Sequence, residues 1–310
     1  MHRSAFVALA AIVLLAVAGA TPVAHAAGDD DTGRPTFAHV IVVVLENQSY
    51  EDLVGNRDAP FINGVLERDH ASATRFFAPF HNSPSDYYAL VSGYGYAKGD
   101  GGDWGGTCLP SMACSTDDMS VLQQLNEAGK RWRIYSEDQQ TPCQTRNSGK
   151  YWVGHNPAPF YRNLGPNDYT TSGNGSCLKD DVGAEELTKD LAGGTLPELS
   201  FLIPDNCNNM HDECKPLSHR IRQGDAWLKS VLAEDAIVPG GLTAWAQAND
   251  TLIVITEDEG SFSDHAYCCP YTPEGGGGHI ATWVIGPPAK VKGDGYQSEV
   301  DYSLYSILRR

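Results

Sequence analysis

Apolar residues along this chain fall into short unbroken runs, separated by longer stretches in which they recur at helical spacing. Residues 38–45 (Ala-His-Val-Ile-Val-Val-Val-Leu) form a β-branched run with no polar alternation. Such a run predicts a strand buried on both faces, at the centre of a parallel sheet. Leu199–Ile203, Thr251–Thr256 and Ile280–Ile285 repeat the pattern; they close on Pro204-Asp205, on Glu257-Asp258-Glu259 and on Gly286-Pro287-Pro288. Between the runs, Asp117-Asp118 are placed to cap a helix over Met119–Gly129, and Asp225–Ala233 and Gly241–Ala248 carry similar patterns. Strands alternating with helices predict an α/β fold, with a mostly parallel central sheet flanked by helices. Long loops interrupt it: a glycine-rich segment from Gly93 to Gly106, a polar segment 139–178, and the run Gly275–Gly278. Loops of this length in an α/β domain tend to build sites.

The first residues read as an export signal. Arg3 precedes an apolar run over residues 5–20, and Ala24-His25-Ala26 offers a small-x-small cleavage site. The run is short for a transmembrane anchor, and Asp29-Asp30-Asp31 suit a solvated new terminus. No twin arginine and no lipid-bearing cysteine accompany it, so the expectation is secretion, with residues 1–26 removed and no stable membrane anchor. Residues 27–310 fit one large domain, which stops in mid-helical pattern at Leu308-Arg309-Arg310 as if cut short.

The formal net charge is −17. Such a surface repels nucleic acid and anionic bilayers at long range. A site for an anionic substrate must then create its own positive potential, most simply with a metal ion. All eight cysteines follow the signal, an even count that predicts disulfides in an exported chain. No CxxC spacing favours a zinc–thiolate cluster. Cys108 with Cys114, and Cys207 with Cys214, could close local loops, whereas the adjacent Cys268 and Cys269 are expected to find other partners.

Acids follow the predicted strands directly: Glu46 with Asn47, then Asp205, then Asp258 with Glu259. Carboxyl ends of strands line the ligand crevice of open α/β sheets, and hard oxygen donors gathered there suit a divalent cation. Each acid alone could equally be a helix cap or a solvated loop residue. Ser83 precedes Pro84, and a proline suits the first helical position, so Ser83 is placed at an N-cap that favours an anion. An ordinary capping serine is the plainer alternative. His81, His155, His211 and His279 lie beside these segments and could bind phosphate oxygens or move protons, while His265 reads as solvated. There is no GxSxG, HExxH or Walker A motif, which removes the commonest serine hydrolases, zinc proteases and P-loop enzymes.

Taken in order, these segments resemble the bacterial phosphoesterase family of phospholipases C and secreted acid phosphatases. The blocks are His39–Tyr50, Ala59–Asn63, His81–Gly93, Phe201–Asp212, Gly224–Leu228, Thr251–Glu259 and Gly278–Ile280, so the similarity spans roughly residues 37–308. The resemblance implies an alkaline-phosphatase-like core. It implies a metal environment of Glu46, Asn47, Ser83, Asp258 and Glu259, with Ser83 as the nucleophile. It assigns phosphate contact or acid–base roles to His211 and His155, and phosphate contact to His81 and His279. Small-molecule or lipid phosphate monoesters, phosphoinositides among them, are the expected substrates. A phospholipase C acting on diesters and a binding protein on an inactive fold are the alternatives. The chain departs from the family pattern at Ser85, where a proline is usual, at Glu257, where an aromatic residue is usual, and in the longer insert Ser261–Gly278.

Overall fold

In the computed structural model the described residues are 35–94, 98–99, 102–103, 108–269 and 276–308. The export signal expected over residues 1–26, most of the glycine-rich segment 93–106, Gly275 and Arg309-Arg310 lie outside them. The first half of the chain gives β1 (His39–Leu45), α1 (Tyr50–Leu53), α2 (Glu67–Asp69), β2 (Ala71–Phe77) and α3 (Ser83–Ser92). A two-residue pair, β3 (Lys98–Gly99) and β4 (Gly102–Asp103), precedes α4 (Val121–Glu127) and β5 (Trp132–Ser136). Then come α5 (Ser176–Asp180), β6 (Asp181–Gly183), α6 (Glu185–Gly193), β7 (Leu199–Ile203), α7 (Arg220–Ala233) and α8 (Gly241–Ala248). The remaining strands are β8 (Thr251–Glu257), β9 (His279–Ile285), β10 (Gln297–Ser298) and β11 (Tyr302–Ser303).

One mixed sheet runs β10-β2-β9-β8-β1-β7-β5-β6, with β11 also on β2. Its pairs are parallel except at β9, which is antiparallel to both β2 and β8. β1 sits inside because its side chains are apolar on both faces. Ile41, Val43 and Leu45 pack with Leu228, Val231 and Leu242 of α7 and α8. Val42 and Val44 pack on the other side with Tyr87, Leu90 and Val91 of α3 and Leu122 of α4. The period-two alternation therefore feeds two cores, one on each face.

The four strands expected from apolar runs all form; β2, β5, β6 and the two-residue strands β3, β4, β10 and β11 were not expected. β2 carries Ser72, Thr74 and Arg75, and β5 carries Arg133, whose charge is met by an ion pair with Asp190 of α6. Polar side chains with tertiary partners hid both strands from a hydropathy reading. α4 begins two residues later than expected, because the Ser120 side chain, not Asp117 or Asp118, accepts the Gln123 amide at 3.2 Å. Four disulfides join Cys108 to Cys114, Cys143 to Cys177, Cys207 to Cys214 and Cys268 to Cys269. The last corrects the expectation that adjacent cysteines find other partners: the backbone turns sharply there, with Cys269 at φ +74°.

Candidate active site

β1 and β8 are parallel neighbours in a register that sets Leu45 beside Glu257. The next residues, Glu46 and Asp258, therefore emerge side by side at the carboxyl edge of the sheet. Asn47 turns back at φ +60°, a conformation asparagine tolerates well. Its amide lies 3.3 Å from Asp258 Oδ1 and its side-chain Nδ2 3.2 Å from Glu46 Oε2.

The start of α3 meets this edge. Its N-cap is Asn82, whose Oδ1 accepts the Ser85 amide at 3.3 Å; Ser83 is the first helical residue and Pro84 the second. The expected capping role of Ser83 is thereby corrected. The shift matters, because a capping serine spends its oxygen on the helix, whereas Ser83 Oγ is directed to Glu46 Oε2 at 3.3 Å. Pro84 has no amide and Asn82 engages that of Ser85, so this helix start offers an anion fewer amides than an unblocked one.

His155 sits in a buried single turn, with Nε2 3.2 Å from Glu46 Oε2. Asn209 fixes its tautomer. Asn209 Oδ1 accepts the His211 amide at 2.9 Å, so Nδ2 is the group 3.4 Å from His155 Nδ1, which must accept. The proton then resides on Nε2. Burial, and the neighbouring His211, hold His155 well below the usual imidazole range. His211 is half-exposed, its ring centroid 5.7 Å from that of His155, and its Nδ1 is 2.7 Å from Asp212 Oδ1. His81 Nδ1 lies 3.4 Å from Glu259 Oε2 while Nε2 bonds the Asp264 carbonyl. The Glu259 carboxylate raises the His81 pKa.

Two expected participants stand elsewhere. His279 stacks between Tyr50 and Phe77, and its nitrogens lie 3.0 Å from Glu51 Oε1 and 2.8 Å from the Thr74 carbonyl, so neither faces the acids around Ser83. Asp205 caps its own turn, accepting the amides of Cys207 at 2.8 Å and Asn208 at 3.0 Å. His265, read as solvated, is exposed but meets His81 edge-on at 5.0 Å between centroids.

Other residues enter that sequence reasoning gave no role. Tyr87 donates to Glu46 Oε1 at 2.8 Å, and Asn209 orients both histidines. Asp86 is fully buried; its Oδ1 accepts the Phe80 amide at 3.0 Å and its Oδ2 has no hydrogen bond. Asp86 and Tyr87 fall one helical turn after Ser83, a spacing that could have marked them. Burial pushes Glu46 up to about 8. Burial, reinforced by the other acids of the group, also pushes Asp86, Glu257 and Asp258 well above the usual carboxylate range.

Five buried acids, Glu46, Asp86, Glu257, Asp258 and Glu259, thus share one edge. Asp258 Oδ2 and both Glu257 oxygens lack a hydrogen bond. Buried carboxylates persist when a cation offsets them. Oxygen donors from Glu46, Asn47, Ser83, Asp258 and Glu259 fit a hard divalent ion. Among the described residues, the trio of His, Cys, Asp or Glu ligand atoms drawn together within 4.8 Å is instead Cys143, Cys177 and Asp181, and its two thiols are already joined in a disulfide.

A family model described as the phosphoesterase family matches residues 56–310. A phosphatidylinositol-3-phosphatase of Mycobacterium tuberculosis is 33% identical over 258 residues, covering 82% of this chain and 73% of that one. A probable acid phosphatase of Kluyveromyces lactis is 24% identical, covering 78% of this chain and 52% of its own, so the chain spans about half of that protein. Among solved structures, a protein of the alkaline phosphatase superfamily from Vibrio parahaemolyticus aligns with TM-score 0.52 at 13% identity, covering 88% of this chain and 64% of that one. That likeness is one of fold.

Proposed function

The chain belongs to the phosphoesterase family and is a phosphoric ester hydrolase, and from that premise we propose that it cleaves phosphate monoesters with Ser83 as nucleophile. The observation that carries this reading is the Ser83 hydroxyl, 3.3 Å from Glu46 Oε2 at a helix start, set among buried acids with unbonded oxygens. When bound by Glu46, Asn47, Ser83, Asp258 and Glu259, a divalent cation supplies a lowered serine pKa and an offset for charge on the phosphoryl oxygens.

Glu46 Oε2, 3.3 Å away, takes the Ser83 proton as Oγ attacks phosphorus in line with the departing ester oxygen, and the Ser–O–P bond forms as the ester P–O bond breaks; the proton returns to Oγ when the phosphoserine is opened. The departing alcohol takes a proton from His211. His155 is the poorer donor, because it is buried and burial holds its pKa well below the usual imidazole range. His211 is half-exposed, and Asp212 orients its ring through Nδ1. In the second half, water attacks the phosphoserine, His211 takes the water's proton, and Ser83 is released with inorganic phosphate. His81, paired with Glu259, is placed to contact a phosphoryl oxygen.

Lipid phosphates, phosphoinositides included, fall within this reading, in keeping with the mycobacterial relative. The whole of residues 27–310 acts as one domain. Four disulfides support an exported, oxidising setting, as does the signal expected over residues 1–26. Among the described residues no helix is long and apolar enough to cross a membrane. Ser83→Ala tests the assignment: turnover of p-nitrophenyl phosphate should fall by several orders of magnitude with the melting temperature unchanged. Retention of more than about a tenth of the rate would refute the covalent role.

A further inference from the structure

The insert that follows the acids presents a phenyl ring to solvent beside the site. Phe262 is 89% exposed, the most exposed large apolar side chain among the described residues. A single exposed apolar side chain is ordinary by itself. The turn that carries this one is held in place. Ser261 and Asp264 close it, the Asp264 amide bonding the Ser261 carbonyl at 2.8 Å. Ser49 Oγ clamps the turn from the β1 side, 2.8 Å from Asp264 Oδ2 and 2.9 Å from Ser261 Oγ. Asp264 Oδ2 also accepts the His279 amide at 2.9 Å, and the Asp264 carbonyl meets His81. The turn is therefore tied to three separate segments, and its orientation is fixed before any substrate arrives.

What it faces is the site. The Phe262 ring centroid is 6.4 Å from that of His81, which reaches Glu259 at 3.4 Å; His265 closes the other side of His81 at 5.0 Å. A phenyl ring carried on a tied turn has few side-chain torsions to lose when it contacts a ligand, and it gains by leaving water. The ring itself carries no charge, so its binding energy comes from apolar contact.

We propose that Phe262 is a specificity-determining residue that packs against an apolar group on the alcohol side of the scissile ester, so that the enzyme prefers monoesters whose alcohol carries an apolar group, aryl or acylglycerol, over those whose alcohol carries none. The inference rests on the phosphatase reading above and names the substrate class for the same site. The contact acts on binding, because the ring lies outside the reacting atoms.

The test compares kcat/KM for 2-naphthyl phosphate, monomeric dihexanoyl phosphatidic acid and glycerol 2-phosphate, in wild type, Phe262→Ser and Phe262→Leu. Wild type should favour the two apolar esters. Phe262→Ser should cut that preference about tenfold, through KM, and Phe262→Leu should restore most of it. A fall for naphthyl phosphate alone identifies aryl stacking, and a fall for the phosphatidic acid alone identifies acyl contact; either supports the inference. Equal changes for all three esters, or none, overturn it. A wild type inert towards every ester overturns the phosphatase reading, and this inference with it.

Discussion

Asp181→Asn should make the protein more stable at alkaline pH while changing little in acid. Asp181 is fully buried in β6. Its Oδ1 accepts Asn156 Nδ2 at 2.7 Å, and its Oδ2 faces Cys177 Sγ at 4.0 Å, a disulfide sulfur with no hydrogen to give. Burial outweighs the Asn156 and Gln139 contacts and raises the carboxyl from 3.8 to about 7. The folded protein thus keeps a proton that the unfolded chain releases near 3.8. Asp181's contribution to stability is fully present below that value and is lost as pH rises towards 7, at ~1.4 kcal/mol per pH unit. Over the three units between the two pKa values the loss is about 4 kcal/mol. Asparagine keeps the acceptor for Asn156 and carries no charge, so it removes this dependence. At roughly 2–4 °C per kcal/mol for a chain of this size, the variant should melt about 8–15 °C above wild type at pH 8. At pH 4 the two should melt within a few degrees of each other. Thermal melts with the disulfides intact, followed by circular dichroism from pH 4 to 8, measure the difference. Parallel curves for the two proteins across that range would refute the argument.

Asp258→Asn should lower the divalent metal bound per chain, read by elemental analysis of protein purified without chelator; normal metal with normal activity would remove Asp258 from the site. Titration of the denatured, unreduced protein should find few free thiols, whereas eight reactive thiols would contradict the disulfides. Trp283→Ala should cost ~3–5 kcal/mol in denaturant unfolding, since the ring is fully buried and its Nε1 bonds Glu67 Oε1 at 2.6 Å. The ratio of kcat/KM for p-nitrophenyl phosphate to that for p-nitrophenylphosphorylcholine should favour the monoester, and a clear preference for the choline diester would promote the phospholipase C reading.

The sequence by itself determined the frame. Four unbroken apolar runs can be satisfied only as strands covered on both faces, and all four form, with Glu46, Asn47, Asp258 and Glu259 placed just past two of them. Local patterning carries that information because burial acts residue by residue. Which acids meet was decided by register and turns, which no local pattern contains. Parallel pairing of β1 with β8 set Glu46 beside Asp258, whereas Asp205, equally at a strand end, spends its carboxylate on its own turn. Asn82 took the capping role that Ser83 was expected to fill, because the helix starts at Ser83 and the extended residue before it is Asn82, which leaves the serine oxygen to Glu46. His279 went to a stack between Tyr50 and Phe77 because β9 pairs with β2 in a register that sets it opposite Phe77, a pairing that apolar content does not encode. Tyr87, Asn209 and Asp86 gained their roles from neighbours far away in the chain or across a helix turn. A polar side chain's role depends on the partner tertiary packing brings to it, and that partner is not written beside it in the sequence.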